Sequence, residues 1–469
     1  MIRVFSQYIS PKSIALIILE GALMALALVC GARLRFWDNT SGFSSYVAFP
    51  DFALQTLAFV GILQICFYYH DLYDLSVLRR RDEQLISLAE SLGIGCLILG
   101  LLYFILPSLV IGRGVFFIGV FLAWGFLTLS RGVLDRVWQV AAPRENILIL
   151  GSDDLALTVA KELSERSDLN VRLTGFVKLA STNGHCPGTL LGRPVLGSTE
   201  RLQAIVREQS VSRIVVAVED RRNSLPIQDL VRLRVSGVRV EEAHSIVSAL
   251  TGRVWLESVK PSWFVFTGGF QRSGTTLVLK RMIDLSCGLL GLALSLPIML
   301  LVAIAVRLDS KGPILYRQTR VGLGGKCFEL MKFRSMRVDA EAANGACWAT
   351  ENDPRVTRIG RFLRRYRLDE LPQFINVIRG EMSFVGPRPE RPFFVDQLRM
   401  EHSYYDERHS VRPGLTGWAQ VRYQYGSSVD DAIRKLEYDL FYLKNMSITF
   451  DLSIIFRTVR IVLGGHGGR

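Results

Sequence analysis

The chain has little charge, no paired cysteine motif and fewer acidic than basic residues. Only 21% of its 469 residues are charged, whereas 49% are hydrophobic, and this composition excludes an intrinsically disordered chain. The seven cysteines include no CxxC pair, so the sequence predicts neither a disulfide framework nor a zinc site. There are 43 acidic residues against 56 Lys and Arg. This basic surplus indicates an anionic partner, such as nucleic acid, lipid head groups or phosphorylated substrates.

Long apolar runs take the place of the missing charge. Four of them fill the first 130 residues: Ser13–Ala32, Phe52–Tyr69, Leu92–Ile111 and Gly114–Ser130. Each approaches the roughly 20 residues that a helix needs to cross a bilayer. With a mean hydropathy of +0.26, the runs predict a membrane protein that begins with a four-helix transmembrane bundle over residues 1–140.

Basic residues between the apolar runs predict the orientation of this bundle. Arg79–Arg81 separate the second and third runs, and Arg131, Arg136 and Arg144 follow the fourth. Under the positive-inside rule both regions are cytoplasmic, so both ends of the bundle are expected on that side. Glu20, within the first run, is expected to have a helix-packing or snorkelling role.

Strands and helices alternate after the bundle. Asn146–Leu150 and Arg213–Val218 are typical of buried parallel strands, and Leu155–Leu163 is typical of a helix that follows the first of them. This alternation predicts a Rossmann-like α/β domain over residues 141–273.

The first strand of this domain is followed by an incomplete dinucleotide fingerprint. Gly151 supplies its first glycine, but Asp153 stands where a second glycine is needed. A carboxylate at that point would repel a pyrophosphate. We therefore expect this domain to have a structural or regulatory role instead of a cofactor.

A fifth apolar run, at about residues 282–306, opens the last part of the chain. Lys280 and Arg281 precede it and Pro297 interrupts it. A single crossing would place the rest of the chain outside the cell. The alternative is a re-entrant membrane helical hairpin, broken near Pro297 because proline lacks a backbone donor. We favour the hairpin, with Lys280 and Arg281 as anchors at head-group level.

Arginines recur at steps of about three from Arg355 to Arg367 and alternate with apolar residues. This stripe predicts one helix lying on an anionic membrane surface, where guanidinium groups would also gather phosphates. The alternative is a solvated basic face. No nucleic-acid partner is expected, since no DNA-binding motif accompanies the charge.

Asp369 and Glu370 are the candidate catalytic residues. Pro372 is typical of the first turn of a helix, so both carboxylates are expected at a helix N-terminus. There the free N–H groups and the dipole would keep a carboxylate ionised, as a nucleophile must be. The alternative is that Asp369 only caps the helix.

The last part of the chain contains five further motifs: Gln318-x-Arg320-x-Gly322, Lys332-Phe-Arg334-Ser-Met336, Leu368-Asp369-Glu370-Leu-Pro372-Gln373, Val385-Gly-Pro387-Arg388-Pro389 and Arg412-Pro-Gly-Leu-Thr-Gly-Trp-Ala-Gln420. Together they resemble the bacterial sugar transferase family, the monotopic polyprenyl-phosphate phosphoglycosyl transferases. The resemblance covers about residues 274–469, which it identifies as a catalytic domain. The whole layout is similar to the large undecaprenyl-phosphate galactose and glucose phosphotransferases of exopolysaccharide synthesis.

The resemblance implies an activity and a set of site residues. Asp369 would attack the sugar-bearing phosphorus of a UDP-sugar and expel UMP, and undecaprenyl phosphate would then take the sugar phosphate from Asp369. Glu370 would hold Mg²⁺ against the diphosphate. The implied binders of phosphate or substrate are Arg364, Arg388, Lys332, Arg334, Arg320 and Gln373, although Lys332 and Arg334 are alternatively residues that pin the fold.

The resemblance also implies a location and partners. The enzyme would lie in a bacterial inner membrane, in contact with its lipid, with the catalytic domain on the cytoplasmic face. A homodimer through the Rossmann-like domain is one expected assembly. The sequence shows no motif that selects the sugar.

Two other functions compete with this interpretation. A membrane-anchored nucleotide-sugar dehydratase or epimerase needs a Tyr-x-x-x-Lys pair, and Tyr8 and Lys12 form the only one, ahead of the first apolar run. A non-catalytic scaffold of a polysaccharide assembly complex predicts a decayed site, whereas the polar motifs are all present.

The C-terminal stretch Tyr438–Leu463 mixes aromatic, aliphatic and basic residues, which is typical of an interfacial helix. Asp439 and Asp451 within it are expected at solvent-facing positions.

Overall fold

A computed structural model describes residues 2–4, 7–9, 11–70, 72–73, 81–141, 145–166, 171–179, 188–218, 225–256, 270, 273–338, 340, 353–423 and 428–463. It divides into two compact units, Met1–Ile246 and Val247–Arg469. The division into three domains that the sequence suggests stays a prediction.

The first unit begins with a short antiparallel hairpin, β1 (Ile2–Val4) and β2 (Gln7–Ile9). Its helices before the sheet are α1 (Pro11–Arg35), α2 (Thr40–Ala48), α3 (Pro50–Tyr69), α4 (Arg81–Ile105) and α5 (Arg113–Ala141). All of these except α2 are long and apolar enough to cross a membrane. The four predicted apolar helices are therefore confirmed.

The third of the four apolar helices, α4, differs from the predicted run Leu92–Ile111. It begins at Arg81 and ends at Ile105, and Pro107–Leu109 forms a separate 3₁₀ turn. Proline disfavours helical geometry in the residue before it, which explains the earlier end.

One ion pair joins the first and last helices of the bundle. The Glu20 carboxylate accepts bonds from Arg131 Nε at 2.6 Å and from Arg131 Nη2 at 3.1 Å. Glu20 is fully buried, so it has the helix-packing role that was expected. Arg131 lies within α5, and this contact shows that it is not a free loop charge.

Most of the other arginines from which the orientation was predicted lie within α5 or outside the described residues. Arg136 also lies within α5, and Arg79, Arg80 and Arg144 lie outside the described residues. The cytoplasmic placement of the bundle's ends stays a prediction.

The rest of the first unit is an α/β domain. Its strands are β3 (Glu145–Leu150), β4 (Val171–Lys178), β5 (Thr189–Leu190), β6 (Arg193–Ser198), β7 (Arg213–Val216) and β8 (Arg239–Glu242). Its helices are α6 (Asp154–Glu165), α7 (Leu202–Glu208), α8 (Ile227–Val235) and α9 (Ala243–Thr251), the last of which continues into the second unit. The strand order is β5-β6-β4-β3-β7-β8, and the described pairs are parallel except β5–β6. The predicted Rossmann-like sheet is confirmed.

Gly151, the first glycine of the incomplete fingerprint, follows β3 with a φ of 130°. A β-carbon at this position would overlap the carbonyl oxygen of Ala217, just after β7. Glycine is needed here because two neighbouring strands end close together. This packing supports the structural interpretation of the motif.

The second unit contains the long apolar helix and a small mixed fold. Its helices are α10 (Gly274–Asp309), α11 (Arg358–Arg365), α12 (Gln373–Arg379), α13 (Pro392–Glu401), α14 (Trp418–Arg422), α15 (Val429–Asn445) and α16 (Ile448–Leu463). Its strands are β9 (Leu315–Val321) and β10 (Cys327–Phe333), which pair antiparallel, and β11 (Ser383–Val385) and β12 (Gly414–Thr416), which pair parallel.

An aromatic core holds the C-terminal helices together. Trp418 packs against Phe441 and Phe450, with ring centroids 6.1 and 5.0 Å away. Its indole N–H donates to the carbonyl of Gly252 at 2.7 Å, and Arg253 is paired with Glu437 at 2.8 Å. The chain just after α9 is thus part of this core.

The apolar helix α10 runs without interruption from Gly274 to Asp309, through Pro297. The prediction of a hairpin of two helices, broken near Pro297, is therefore wrong in this respect. Proline removes only one helical bond, to the carbonyl of Ala293, and the turns on both sides retain theirs. The adjacent Ser295 hydroxyl donates to the carbonyl of Leu292 at 3.3 Å.

The arginine stripe forms a shorter helix than predicted. α11 begins at Arg358, because Thr357 caps it by accepting a bond from the Gly360 N–H at 3.0 Å. Arg355 lies before the helix and is paired with Asp353. Arg367 lies after it, in a left-handed conformation with a φ of 54°. The stripe from Arg355 to Arg367 is thus not one continuous helix face.

Candidate active site

The two candidate carboxylates lie in a single 3₁₀ turn, Leu368–Glu370, between α11 and α12. The left-handed backbone of Arg367 ends α11 and starts this turn, and Pro372 precedes the first residue of α12. Asp369 is 6% exposed and Glu370 is 8% exposed. The local sequence therefore brings two buried negative charges into one short turn.

Three cations surround the Glu370 carboxylate. Arg388 Nη2 donates to it at 2.7 Å, and Lys332 Nζ and Arg367 Nη1 each do so at 3.3 Å. Burial works to raise the pKa of Glu370, but these cations outweigh burial and hold that pKa well below its usual value. Glu370 is therefore ionised, and it fixes the positions of the surrounding cations.

Asp369 has a different environment. Among the described residues, no group donates a hydrogen bond to its carboxylate. Burial raises the pKa of Asp369, and the nearby cations Lys332, Arg364 and Arg388 oppose the rise without cancelling it. The structure thus corrects the expectation that the helix dipole sets this ionisation, because burial and side-chain cations dominate. A buried carboxylate with free lone pairs is well suited to act as a nucleophile.

Lys332 comes to the site from β10, and its ammonium is bonded to Glu370 and close enough to Asp369 to act on its charge. Burial lowers the pKa of Lys332, while Glu370 and Asp369 work in the opposite direction. Its 3.3 Å bond to Glu370 is within the site. This contact fits both predicted roles of Lys332, so phosphate binding by Lys332 stays a prediction.

The backbone of Arg388 is held by the buried ion pair of Arg408 and Asp439. Arg408 Nη2 donates to the carbonyl of Arg388 at 2.9 Å and to Asp439 Oδ2 at 2.8 Å. Arg408 also donates to the Tyr405 hydroxyl at 2.6 Å. Sequence reasoning missed Arg408, and it wrongly placed Asp439 in solvent, since only 1% of Asp439 is exposed.

Arg320 holds the backbone next to Arg388. Its guanidinium donates to the carbonyl of Pro389 at 3.0 Å and to Gln318 Oε1 at 2.6 Å. It also lies 3.4 Å from the Glu390 carboxylate. These contacts give Arg320 a role in positioning Arg388, and substrate binding by Arg320 itself stays a prediction.

Comparison with known proteins identifies the family of the chain. Residues 275–465 match the family model described as bacterial sugar transferase, and residues 69–241 match a model described as a CoA-binding domain. A UDP-glucose:undecaprenyl-phosphate glucose-1-phosphate transferase of Xanthomonas campestris is 31% identical over 343 residues, which cover 72% of this chain and 70% of that relative.

The chain belongs to the bacterial sugar transferase family.

Other relatives in the family differ in the sugar they are named for. A UDP-N-acetylgalactosamine-undecaprenyl-phosphate N-acetylgalactosaminephosphotransferase of Aeromonas hydrophila is 41% identical over 240 residues (51% of this chain, 56% of the relative). A UDP-glucose:undecaprenyl-phosphate glucose-1-phosphate transferase of Escherichia coli is 46% identical over 189 residues (40% of each). The chain spans about half the length of these two relatives.

The other three predicted binders of phosphate or substrate in this sugar transferase differ in their contacts. Arg364 Nε donates to Ser335 Oγ at 3.0 Å, beside the site. Arg334 donates to the carbonyl of Ser310 at 2.6 Å, so it closes the end of α10 and has the contacts of the fold-pinning alternative. The buried amide nitrogen of Gln373 has no hydrogen-bond partner among the described residues. Phosphate or substrate binding by each of them stays a prediction.

The predicted anchors of the apolar helix, Lys280 and Arg281, are bonded to other parts of the second unit. Lys280 is 8% exposed, and its Nζ donates to Asp451 at 2.6 Å and to the carbonyl of Val385 at 2.9 Å. Arg281 donates to the carbonyls of Val377 and Ile378, both at 2.8 Å. Both residues thus have the contacts of a structural role, with the charge of Lys280 paired inside the protein, and their position at head-group level stays a prediction.

Asp451 was expected in solvent and is buried as well, at 3% exposed. Besides Lys280 it accepts a bond from the Tyr442 hydroxyl at 2.8 Å. The expectation of a solvent-facing position is wrong, because α16 turns this carboxylate toward α10.

Phosphoglycosyl transferases use Mg²⁺ in general. Within the described part of the chain, no group of three or more His, Cys, Asp or Glu side chains comes together. In phosphoryl transfer, however, Mg²⁺ is usually held by one or two carboxylates together with the substrate phosphates. Asp369 and Glu370 supply that number, so the donor set fits an ion that arrives with a diphosphate, provided that Glu370 exchanges a bond to Arg388, Lys332 or Arg367 for the ion.

Proposed function

We propose that this protein transfers a sugar 1-phosphate from a UDP-sugar to undecaprenyl phosphate, and so initiates exopolysaccharide repeat-unit assembly. One observation carries the proposal: Asp369 is buried, accepts no hydrogen bond from the described residues, and lies among Lys332, Arg364 and Arg388. Such a site combines a free nucleophile with positive charge for phosphate. The names of the relatives support the same substrates.

In the first step an oxygen of the Asp369 carboxylate attacks the sugar-bearing phosphorus of the donor. The bond from that phosphorus to the bridging diphosphate oxygen breaks, and UMP leaves with the electron pair. Arg388 and Lys332 stabilise the phosphoryl oxygens, since cations fixed in a buried site act strongly on developing charge. Glu370 keeps these cations in place through its ion pairs.

In the second step a phosphate oxygen of undecaprenyl phosphate attacks the same phosphorus. The acyl phosphate bond to Asp369 breaks, which restores the carboxylate and gives the polyprenyl-diphosphate sugar. Neither step requires a proton to be taken from a hydroxyl group. The enzyme therefore needs a deprotonated Asp369 but no separate general base.

Mg²⁺, when bound with the donor, would reduce the negative charge of the diphosphate. Glu370 is the residue that would hold it, with Asp369 as the neighbouring carboxylate. The protein's own contribution is to hold the cations and to keep the nucleophile desolvated.

We also propose that α10 bends at Pro297 without losing its helical conformation, and so enters and leaves the membrane on the cytoplasmic face. Both of its ends are attached to the same unit: Arg281 binds the end of α12, while Arg334 binds the carbonyl of Ser310. A single crossing would carry the two ends to opposite faces. Cysteine labelling of Thr275 and Lys311 variants in sealed vesicles tests this, and labelling of both from the same side is expected. Labelling from opposite sides would contradict re-entry.

The activity is tested by trapping the intermediate. Detergent-purified protein is incubated with Mg²⁺ and UDP-glucose, UDP-galactose or UDP-N-acetylgalactosamine, without lipid acceptor, and peptides are analysed by mass spectrometry. We expect UMP release and a sugar-phosphate adduct on the Asp369 peptide, and no adduct in Asp369→Asn. The donor that gives the adduct identifies the accepted sugar.

Addition of undecaprenyl phosphate then separates the alternatives. Lipid product formed without any adduct would disprove the covalent mechanism. The absence of both adduct and product with every donor would favour the non-catalytic scaffold. A dehydratase or epimerase would change the sugar and release no UMP.

A further inference from the structure

A cavity of about 230 Å³ lies beside the carboxylate turn in the second unit. Its polar end is formed by Arg367 and Glu370, and its walls by apolar side chains from the start of α12, from β12 and from α16. Leu371, Phe374 and Ile461 are among these apolar residues. The mechanism proposed above uses the polar end but does not account for the apolar walls.

The polar groups along the walls are mostly bonded to the protein itself. The hydroxyls of Thr416 and Thr458 lie 2.6 Å apart and are bonded to each other, and the Gln420 amide nitrogen donates to the carbonyl of Leu415 at 3.3 Å. One acceptor, Gln420 Oε1, has no partner among the described residues. A sugar or a nucleoside would bring many polar groups that these walls leave unsatisfied, at a cost for each.

The size and position of the cavity favour part of a lipid chain. Whole small-molecule sites usually occupy roughly 300–1,000 Å³, so this cavity accommodates a fragment of a longer ligand. Phe374 in its wall packs on α10, where a β-carbon at Gly291 would come within 2.8 Å of the Phe374 ring. Next to Gly291, α10 exposes Leu289 and Leu290. The cavity is therefore separated from this apolar helix by a single layer of side chains.

The polar end carries a cation in an unusual backbone conformation. Arg367 has a φ of 54°, a left-handed geometry that non-glycine residues adopt at a cost and that often occurs at functional sites. Its guanidinium is 3.3 Å from the Glu370 carboxylate. In the chain, Arg367 directly precedes the turn that carries Asp369. A ligand with an apolar chain and an anionic head matches this arrangement of apolar walls and one terminal cation.

We propose that this cavity binds the first isoprene units of the polyprenyl phosphate acceptor, with Arg367 directing the phosphate toward Asp369. The inference rests on the proposed function and adds to it the location of the acceptor. The donor reaches Asp369 from the side of Lys332, Arg364 and Arg388, and the acceptor from the side of the cavity. The two substrates thus occupy separate subsites on either side of the carboxylate turn.

A bulky side chain placed in the cavity should slow only the second of the two half-reactions. Ile461→Trp on α16 places a large ring in the cavity, whereas Val459→Trp, an exposed position of the same helix outside the lining, is the matched control. We expect Ile461→Trp to slow transfer from the Asp369 adduct to undecaprenyl phosphate by at least about tenfold, with adduct formation from the UDP-sugar unchanged. Val459→Trp should leave both rates unchanged.

Two results would overturn the assignment. Slower adduct formation with normal transfer to lipid would assign the cavity to the donor, and no effect on either rate would show that it binds neither substrate. Melting temperatures of the two variants show whether the tryptophan at position 461 disturbs the fold.

A second measurement on the unaltered protein does not depend on the covalent mechanism. The full chain in lipid nanodiscs is cross-linked to a polyprenyl phosphate that carries a diazirine in its first isoprene units, and the labelled peptides are mapped. We expect labels in residues 415–421 and 458–462. Labels confined to α10 would overturn the cavity as the acceptor site, even if the sugar-phosphate adduct forms normally.

Discussion

Two sets of buried carboxylates in the second unit differ in how their charge is balanced. Asp439 and Asp451 accept direct bonds from Arg408 and Lys280, at 2.8 and 2.6 Å. Asp369 is equally buried but accepts no hydrogen bond within the described residues, and its charge is balanced by cations that are not bonded to it. The comparison indicates that the directly bonded carboxylates stabilise the fold, whereas the Asp369 carboxylate keeps lone pairs that a nucleophile needs.

Glu370 shows how the two arrangements depend on each other. It is paired directly, like the structural carboxylates, yet its partners Lys332 and Arg388 are the cations that act on Asp369. Glu370 thus holds the cations in place, and the proposed nucleophile Asp369 lies near them without a hydrogen bond from any described residue. The two adjacent residues share Lys332 and Arg388 as nearby charges but differ in that only Glu370 accepts bonds from them.

Replacement of the unpaired carboxylate should have the largest effect on activity. We expect Asp369→Asn to reduce UMP release by more than about 10³-fold, as loss of a covalent nucleophile does in other enzymes. Because Asp369 makes no structural bond, the melting temperature should change little. Initial rates and thermal melts measure the two effects. A variant with near-normal rates would show that Asp369 is not the nucleophile.

Removal of a cation that both carboxylates share should have the next largest effect. Arg388→Gln takes away the 2.7 Å partner of Glu370 and one of the charges near Asp369, so we expect UMP release to fall by about 10²-fold. Arg317→Gln is the control, since it removes a charge from an exposed pair on β9. Equal losses in the two variants would point to net charge instead of a local role.

Removal of a directly paired carboxylate should mainly affect stability. Asp439→Asn leaves the buried Arg408 without its counter-ion, which we expect to cost about 3 kcal/mol and to lower the melting temperature by roughly 6–12 °C. Glu329→Gln, in the exposed pair with Arg317, should cost less than about 1 kcal/mol. Well below the melting temperature, Asp439→Asn should still form the Asp369 adduct. Loss of the adduct in a folded variant would remove the distinction between the two sets.

The smallest effect is a shift in pH dependence. The pKa of Asp369 is raised by burial, and the proposed nucleophile is the ionised carboxylate. Adduct formation should therefore be fastest above that pKa and should slow as the pH falls through it. Lys332 lowers this pKa, so Lys332→Met should move the acid limb of the rate profile to higher pH. Arg317→Gln should not move it. A shift to lower pH would show that another group controls the limb.

Much of the architecture was predictable because its signals are local. The four N-terminal helices follow from runs of apolar residues, and the strands β3 and β7 follow from short runs bounded by polar segments. The carboxylate turn was predictable because Asp369, Glu370 and Pro372 are close in sequence. The end of α4 and the start of α11 were predicted wrongly, because apolar runs and arginine spacing do not show the effects of Pro107 and of the capping residue Thr357.

The errors share a different cause. Lys280 and Asp451 are far apart in sequence, as are Arg408 and Asp439, so each residue by itself is typical of an exposed charge. Only the contact between them makes burial acceptable, since a buried charge requires a partner. Similarly, Pro297 indicates a break in an isolated helix, but α10 continues past it, and Val302 and Val306 beyond it are buried in one cluster with Phe333 and Leu363.

The sequence alone determined the apolar helices, the strands β3 and β7 with the helix α6, and the motifs that identify the family, because these depend on residues that are neighbours along the chain. The tertiary structure decided which carboxylate is left without a hydrogen-bond donor among the described residues. Asp369, Asp439 and Asp451 have the same side chain, and each is buried. They differ in the groups that the fold places within hydrogen-bonding distance, and that difference is the reason for proposing Asp369 as the nucleophile.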